Sequence, residues 1–234
     1  METIRLSNRL QAVASWIAPC GTVADVGTDH GYLPVWLLQT HTAQRVIASD
    51  IHAGPLDRAR RSAAAYSLEN AIRFELCDGL QFAGADAADT VVIAGMGGET
   101  IITILDAAPW TRQGRRLVLQ PQSKIRELTD WLQDNGYMLA DAQLCLDAGK
   151  LYLILEVRGA APQEQITAET LLLCRRDPLL PQYLAEQDAR LRRAIAGMER
   201  AERQEVAAEL RRAKQALKQA LEEIARYEEA VKAW

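Results

Sequence analysis

The sequence predicts a doubly wound α/β domain followed by a helical hairpin, and two observations carry this prediction. Residues 1 to about 160 alternate short β-branched runs with segments of helical spacing, which is typical of a parallel sheet covered on both faces. Beyond Pro162 the composition changes, and after the break RRDPLLP the apolar residues fall into long helical series. We therefore predict two domains, residues 1–160 and residues 161–234.

Five apolar runs of the first domain each precede a helical segment. They are TVADVG, RVIASD, IRFELCD, TVVIAGMGG and RLVLQPQ. After the helical segment KIRELTDWLQDNG, only a short turn separates YMLADAQLCLDAG from KLYLILEVRG, and this connection is too short for a parallel crossover. The last two runs therefore predict an antiparallel hairpin at one sheet edge. A mostly parallel, Rossmann-like sheet closed in this way resembles the fold of class I S-adenosylmethionine-dependent methyltransferases, whereas a nicotinamide-binding Rossmann domain is normally all parallel.

Two apolar series predict the helices of the second domain. The first comprises Leu184, Leu191 and Met198, with Ala194 and Ile195 between them. The second comprises Val206, Leu210, Ala213, Leu217, Ala220, Ile224, Tyr227, Val231 and Trp234. With a turn near residues 200 to 204, these helices form an antiparallel, coiled-coil-like hairpin. Its charged faces are explained either by solvated i, i+4 pairs or by contact with a partner such as RNA.

Composition restricts the class of protein. The 234-residue chain is 49% hydrophobic and 25% charged, as in an ordinary globular protein. Its N-terminal stretch is amphipathic rather than a signal peptide, and no apolar run reaches the roughly 18 residues of a membrane span. We therefore expect a cytoplasmic protein that has no membrane partner.

Cysteine spacing and charge exclude further classes. The four cysteines are far apart and form no Cys-x-x-Cys, so we predict neither a metal site nor a disulfide framework. They are Cys20, Cys77, Cys145 and Cys174. A net charge of −4 and a pI near 5.5 argue against bulk electrostatic coating of nucleic acid. Any contact with nucleic acid must use a local patch.

The stretch ADVGTDHGYLP joins the first predicted strand to a helix. Gly27 and Gly31 lie in this turn, close to a helix N-terminus that attracts anions. Asp29 in the same turn would repel a pyrophosphate and therefore disfavours a dinucleotide. It could instead accept hydrogen bonds from the ammonium group of S-adenosylmethionine or from a substrate base. The alternative is that the two glycines only allow tight packing of the strand against the helix.

The next strand ends carry further candidates. Asp50 ends the second strand, where an acid can bind a ribose diol. Asp78 in CDGL could accept a hydrogen bond from the adenine amine of the cofactor, or Asp-Gly is simply a turn. The glycines in IAGMGG either let the backbone approach a ligand or only form a turn. They are Gly95, Gly97 and Gly98.

Two known active-site motifs are missing from the sequence. The fourth strand lacks the (Asp/Asn)-Pro-Pro-aromatic sequence of amino-group methyltransferases, so a simple exocyclic amine is not the expected target. None of the tyrosines is followed four residues later by lysine, which argues against a short-chain dehydrogenase.

Several stretches together resemble one family, the bacterial tRNA (adenine(22)-N(1))-methyltransferases known as the TrmK family. They are LSNRLQAVASWI, ADVGTDHGYLP, the SD…AGP segment at 49–55, CDGL, VIAGMGGETI and LVLQPQ. GTDHGYLP and IAGMGG are the most specific, whereas the C-terminal hairpin matches only in architecture. The resemblance implies an enzyme that transfers a methyl group from S-adenosylmethionine to N1 of an adenine in the D-arm region of tRNA.

The resemblance also implies site residues. The cofactor site would comprise Asp25, Gly27, Asp29, Asp50, Ile51, Asp78, Gly79 and Gly95. The residues facing the incoming base would be Asp29, His30, Tyr32, Met96, Gly97 and Gln120. The family often has Asn after its LQP element, where this chain has Gln122, so we leave Gln122 out of the set. Asp29 is the candidate that stabilises positive charge on the adenine. Three interpretations of His30 stay open: it orients Asp29, it accepts a proton after the transfer, or it is only a residue at the start of a helix.

Three arginine groups are candidates for phosphate contacts. Arg5 and Arg9 are spaced i, i+4 on the first predicted helix, and Arg58 and Arg61 are spaced i, i+3 on another. The third group precedes the fifth strand and comprises Arg112, Arg115 and Arg116. Each group could equally be an ordinary solvated face.

Two other functions stay open, and both keep the predicted fold. One is a methyltransferase that acts on a small molecule or another RNA. The other is a non-catalytic cofactor-binding module whose hairpin binds a partner. We expect tRNA as the partner and a monomer as the oligomeric state.

Overall fold

Seven strands form one sheet in the described residues. The structure is a computed structural model that describes residues 3–160, 164–202 and 208–234, with the backbone alone for residues 198–202 and 208–212. The strands are β1 (Cys20–Val26), β2 (Ala43–Asp50), β3 (Ile72–Leu76), β4 (Thr90–Met96), β5 (Arg116–Pro121), β6 (Met138–Asp147) and β7 (Lys150–Arg158). Their order is β3-β2-β1-β4-β5-β7-β6.

Strand direction follows the prediction. β1 to β5 run parallel, and β7 pairs antiparallel with both β5 and β6. In β4 and β5 consecutive residues are fully buried, namely Val91, Val92 and Ile93 in one strand and Leu117, Val118 and Leu119 in the other. Because neighbouring side chains of a strand point to opposite faces, both faces of the central sheet are covered. The closing antiparallel hairpin lies at one edge, as the sequence predicts.

In the first unit, Met1–Ala168, one α-helix precedes β1 and four lie between consecutive strands. They are α1 (Asn8–Ser15), α2 (Tyr32–Gln39), α3 (Ala53–Ala65), α4 (Gly98–Asp106) and α5 (Ile125–Asp134). Two short 3-10 helices, Ala85–Ala87 and Pro109–Arg112, precede β4 and β5.

The start of α1 corrects one prediction. The hydroxyl of Ser7 accepts a hydrogen bond from the backbone N–H of Leu10 at 3.3 Å and so caps the helix. Helix α1 therefore begins at Asn8, and Arg5 lies before it. Arg5 and Arg9 do not share a helix face.

The second unit, Glu169–Trp234, contains a helix that the sequence pattern did not reveal. Helix α6 (Ala168–Arg175) precedes α7 (Leu180–Glu202) and α8 (Ala208–Lys232). It ends where Arg176 adopts a left-handed backbone conformation, with φ at 54°. The aromatic hydroxyls tie these helices together, because Tyr183 donates to Glu169 at 3.4 Å and Tyr227 lies 2.9 Å from the hydroxyl of Thr170.

Helices α7 and α8 follow the two predicted apolar series in part, because Ala213 and Trp234 of the second series are exposed. Leu184 is fully buried on α7, and Ile224 is the most buried of the described side chains of the series on α8. Helix α7 continues to Glu202, so the predicted turn near residues 200 to 204 starts later than expected, and its remainder lies outside the described residues. Val206 and the side chains of Met198 and Leu210 also lie outside them. In the described parts of the chain, no helix is both long and apolar enough to cross a bilayer.

Candidate active site

The carboxyl ends of the parallel strands carry most of the predicted site residues. Asp50 is the last residue of β2, Met96 the last of β4, and Gln120 the last but one of β5. Gly27 follows β1 directly, and Asp78 comes two residues after β3. In an open α/β sheet ligands bind at this edge, so the topology brings these candidates together.

The loop between β1 and α2 is held in an unusual backbone conformation. Gly27, Asp29 and Gly31 have φ values of 75°, 47° and 69°. A Cβ on Gly31 would lie 2.8 Å from the Cβ of Ala59 on α3, so only glycine allows this approach. A Cβ on Gly27 would overlap the methyl group of Met96. The two glycines thus allow tight packing, which is the alternative that the sequence left open. Gly27 also allows Met96 to lie next to the loop.

The backbone amides at the start of this loop have partners within the protein. The N–H groups of Gly27 and Thr28 both donate to the carbonyl of Ser49, at 2.8 and 3.1 Å. The N–H of Gly31 donates to the carbonyl of Thr28 at 2.9 Å. The first two amides therefore hold the loop on β2, and the third closes a turn within the loop.

Three exposed side chains of the loop form a cluster. Asp29 Oδ1 lies 2.6 Å from Nη2 of Arg58, and Asp29 Oδ2 lies 3.8 Å from Nε2 of His30. The rings of His30 and Tyr32 are stacked, with centroids 5.3 Å apart and an interplanar angle of 23°. Tyr32 is 41% exposed. We call Asp29, His30 and Tyr32 the loop cluster. It offers a negative charge beside a flat aromatic surface, a combination that suits a nucleobase.

The ends of β2 and β3 provide a second group of candidates. Asp50 accepts a hydrogen bond at its Oδ1 from the backbone N–H of His52 at 2.9 Å, which orients the carboxylate. Ile51 beside it is 57% exposed, and Leu76, which pairs with Asp50 across the sheet, is 61% exposed. Asp78 is exposed as well. An acid flanked by exposed apolar side chains suits a ribose with an attached base.

Leu76 is a candidate that sequence reasoning missed. Its only sequence signal was a strand that ends on a large apolar residue, which is common in buried strands.

Gly79, a predicted cofactor-site residue, is buried in the structure. A Cβ at this position would lie 2.9 Å from the side chain of Ile104. Its carbonyl accepts a hydrogen bond from the Ser49 hydroxyl at 3.0 Å. Gly79 therefore has a packing role, and its contact with the cofactor stays a prediction.

The glycines after β4 have different roles. Gly95 has a φ of 85° and lies at a register irregularity between β4 and β5. Gly98 is buried, and a Cβ there would lie 2.8 Å from the carbonyl oxygen of Ser123. Gly97, which caps α4, is half-buried. Packing explains Gly98, whereas Gly95, Met96 and Gly97 are half-buried at the carboxyl end of β4.

Gln120 does not face the substrate directly, as the resemblance implies that it should. Its side chain is fully buried; Oε1 accepts a hydrogen bond from Nη1 of Arg9 at 2.9 Å, and Nε2 donates to the carbonyl of Pro121 at 3.0 Å. The guanidinium of Arg9 also lies over the ring of Tyr152, 5.7 Å from its centroid. Gln120 therefore positions Arg9, which is half-buried beside Gly95.

The remaining arginines separate into two groups. Arg58 and Arg61 share helix α3, as predicted, and Arg61 is exposed. The third predicted group, Arg112, Arg115 and Arg116, lies before or at the start of β5, at the edge of the sheet opposite the carboxyl ends of the parallel strands. Its members have partners within the protein: Arg112 pairs with Asp106, Arg115 donates to the carbonyl of Asp86, and Arg116 pairs with Glu156. This group is explained by the fold.

Asp25 is a buried carboxyl group on β1 beneath the loop. Burial raises the pKa of Asp25 from 3.8 to about 6; the side chain of Thr28 opposes this shift, and the negative charge of Asp50 adds to it. Asp25 is 5% exposed and so supports the site from below rather than reaching a ligand. Within the described ranges, no group of three or more His, Cys, Asp or Glu side chains is placed to hold a metal ion.

We expect Asp25→Asn to stabilise the protein at pH 8. The folded state binds this proton more tightly than the unfolded state, so stability falls as pH rises from 3.8 through about 6 and stays lowered above it. The full difference is about 3 kcal/mol, since one pKa unit corresponds to roughly 1.4 kcal/mol. Thermal unfolding of the wild type and the Asp25→Asn variant between pH 5 and 8 measures this difference. The stability gained by the variant should shrink as the pH falls. Exposed Asp86→Asn is the control, and a gain that grows on acidification would contradict the prediction.

Comparison with known proteins places this geometry in a family. A family model described as a methyltransferase domain matches residues 6–155, well over half of the chain. This chain belongs to the methyltransferase-domain family. The matched residues of the methyltransferase domain include the loop cluster, Asp50 and Gln120, so the predicted class I methyltransferase fold is confirmed.

Several relatives of this methyltransferase carry more specific names. The tRNA (adenine(22)-N(1))-methyltransferase of Bacillus subtilis (strain 168) is 37% identical over 156 residues, which are 66% of this chain and 66% of that protein. The crystal structure of the B. subtilis m1A22 tRNA methyltransferase TrmK matches with a TM-score of 0.74 at 27% identity and covers 98% of each chain. Streptococcus pneumoniae Sp1610 in complex with S-adenosyl-L-methionine matches with a TM-score of 0.80 at 28% identity, covering 96% of this chain and 100% of that one.

Proposed function

We propose that this protein transfers a methyl group from S-adenosylmethionine to N1 of an adenine in tRNA, at position 22 in the D-arm region. The observation that carries the proposal is the exposed loop cluster beside Asp50, Ile51 and Leu76 at one sheet edge. The proposal is supported by the B. subtilis relative, whose name specifies this position. The proposed partner is tRNA, the proposed location is the cytoplasm, and the proposed form is a monomer.

The residues at the ends of β2 and β3 fit the cofactor. The Asp50 carboxylate has Oδ1 occupied by the His52 amide, which leaves Oδ2 for the ribose hydroxyls. Ile51 and Leu76 offer apolar surface to an adenine ring, and Asp78 offers an acceptor for its amine. When bound, S-adenosylmethionine supplies an electrophilic methyl group on a sulfonium. The negative charge of Asp50 also complements the positive charges of the sulfonium and the ammonium.

The loop cluster fits the target base. The stacked rings of His30 and Tyr32 offer an aromatic surface on which an unstacked adenine can lie, and the carboxylate of Asp29 can accept a hydrogen bond from its N6 amine. Adenine N1 has a free lone pair and needs no prior deprotonation. As the bond from N1 to the methyl carbon forms and the bond from carbon to sulfur breaks, positive charge develops on the adenine. Asp29 stabilises that charge electrostatically.

Much of the rate acceleration comes from alignment. Correct orientation of two reactants can supply on the order of 7–11 kcal/mol of the barrier. The target base must leave its stack in the folded tRNA, which costs a few kcal/mol. Arg9 and Arg61 are the proposed phosphate contacts that offset this cost. Arg9 is fixed by the buried Gln120 and by Tyr152, whereas Arg61 is exposed on α3.

One assay tests the proposal directly. Purified protein is incubated with S-adenosylmethionine and an unmodified tRNA transcript, and the digested RNA is analysed for 1-methyladenosine by mass spectrometry. We expect one equivalent of 1-methyladenosine, lost when the adenine at position 22 of the transcript is replaced by guanine. Methylation of a small molecule without RNA would replace the proposed substrate. Calorimetric binding of the cofactor without any methyl transfer would indicate a binding module instead.

A further inference from the structure

We propose that Arg58 is a positioning residue for Asp29. The guanidinium of Arg58 determines which carboxylate oxygen of Asp29 faces the substrate base. This inference rests on the proposed function, because it gives Asp29 its role toward the adenine. The sequence assigned Arg58 to an RNA phosphate. In the structure Nη2 of Arg58 lies 2.6 Å from Oδ1 of Asp29, a short charge-assisted hydrogen bond.

The backbone of Asp29 needs such support. Its φ of 47° lies in the left-handed region, which Asp tolerates better than most residues but which remains unfavourable without a glycine. The side chain is also 59% exposed, so little packing restrains it. A hydrogen bond from a fixed donor is therefore the contact that can hold the carboxylate in one orientation.

Arg58 is suited to be that fixed donor. Its neighbour Ala59 lies against Gly31, where a Cβ would be only 2.8 Å from the Ala59 Cβ, so α3 is in contact with the loop. The Nε of Arg58 is buried, and a Cβ on Gly54 would lie 3.8 Å from its Nη1. The guanidinium thus lies between the first turn of α3 and the loop.

The two oxygens of Asp29 consequently have different surroundings. Oδ1 is occupied by Arg58, whereas Oδ2 lies toward His30, 3.8 Å from its Nε2. His30 stacks on Tyr32, so Oδ2 is the oxygen beside the exposed aromatic surface. An adenine on that surface would meet Oδ2 with its N6 amine. An RNA phosphate at Arg58 would instead be repelled by the carboxylate already bound there.

A kinetic double-mutant cycle tests the inference with the full-length protein, unmodified tRNA transcript and S-adenosylmethionine. We expect Arg58→Gln to lower kcat about tenfold, because a misplaced carboxylate loses alignment, while KM for tRNA stays within about twofold. In the Asp29→Asn background the same change should have no further effect on kcat. Arg60→Gln is the matched control, since it removes one charge from the same helix and Arg60 lies over Phe74 instead. It should leave kcat unchanged.

Each alternative has a distinct signature. If Arg58→Gln raises KM, flattens the dependence of tRNA binding on salt and leaves kcat intact, Arg58 is a phosphate contact and the inference is overturned. Additive losses in the double variant also overturn it, because Arg58 would then act independently of Asp29. If the wild type is active and the Arg58→Gln variant has an unchanged kcat, the inference is overturned and the proposed function stands. A wild-type enzyme that makes no 1-methyladenosine overturns the proposed function, and the inference with it.

Discussion

Asp29→Asn is expected to lower kcat for tRNA methylation by about 10- to 100-fold while changing the Kd for S-adenosylmethionine by less than about threefold. The substitution keeps the shape of the side chain and removes its negative charge. Loss of one group that stabilises developing charge typically lowers kcat by about 10² or more, and exposure of Asp29 in the free protein reduces that effect. Single-turnover kinetics with saturating tRNA and calorimetry with the cofactor measure the two quantities separately.

The control for Asp29 is Asp86→Asn, which makes the same chemical change at an exposed position before β4. It should change neither kcat nor cofactor affinity. The opposite result for Asp29→Asn, nearly full turnover with weakened cofactor binding, would assign Asp29 to the cofactor site alone. In that case the stabilisation of positive charge on the adenine would need another group.

Asp50→Ala is expected to weaken binding of S-adenosylmethionine by about 100-fold or more. A hydrogen bond to a charged group contributes about 1.5–3 kcal/mol, and a carboxylate can accept one from each ribose hydroxyl. The substitution also removes the acceptor for the His52 amide. Calorimetry measures the affinity, and the thermal midpoint without cofactor shows whether the variant is folded.

Turnover at saturating cofactor separates binding from chemistry at Asp50. We expect kcat to recover toward the wild-type value when the concentration of S-adenosylmethionine exceeds the raised Kd, because Asp50 contacts the ribose and not the reacting atoms. Asp86→Ala, at the opposite edge of the sheet, should bind the cofactor normally. Cofactor affinity that is unchanged in a folded Asp50→Ala variant would remove Asp50 from the site.

Sequence reasoning located the strands well, since each apolar run from TVADVG to KLYLILEVRG contains or overlaps an observed strand. The direction of the last two strands followed from the length of the turn between them. Helix α6 was missed because its leucines, Leu171 to Leu173, are consecutive and show no helical periodicity. Arg5 was placed on α1 because spacing alone does not show that Ser7 caps the helix.

Side-chain partners were harder to predict than elements. Gln120 lies near the end of a strand at the site edge, and this position alone does not predict that its side chain is buried and hydrogen-bonded to Arg9. Arg58 was interpreted as part of a basic face, because the sequence does not show that α3 lies against the loop at Gly31. Leu76 resembles an ordinary strand residue in the sequence, and only the structure shows that it is exposed beside Asp50.

The sequence by itself determined the strands, the parallel sheet and most of the residues at its carboxyl edge. These features depend on local periodicity, on turn chemistry and on the rule that parallel strands end at a common edge. Only the tertiary structure decided which of those residues touch one another, because partners such as Asp29 and Arg58 are 29 positions apart and meet through helix packing. Tertiary packing also decided that Gln120 is buried and supports Arg9. The burial of a side chain depends on every neighbouring element, so no local motif encodes it.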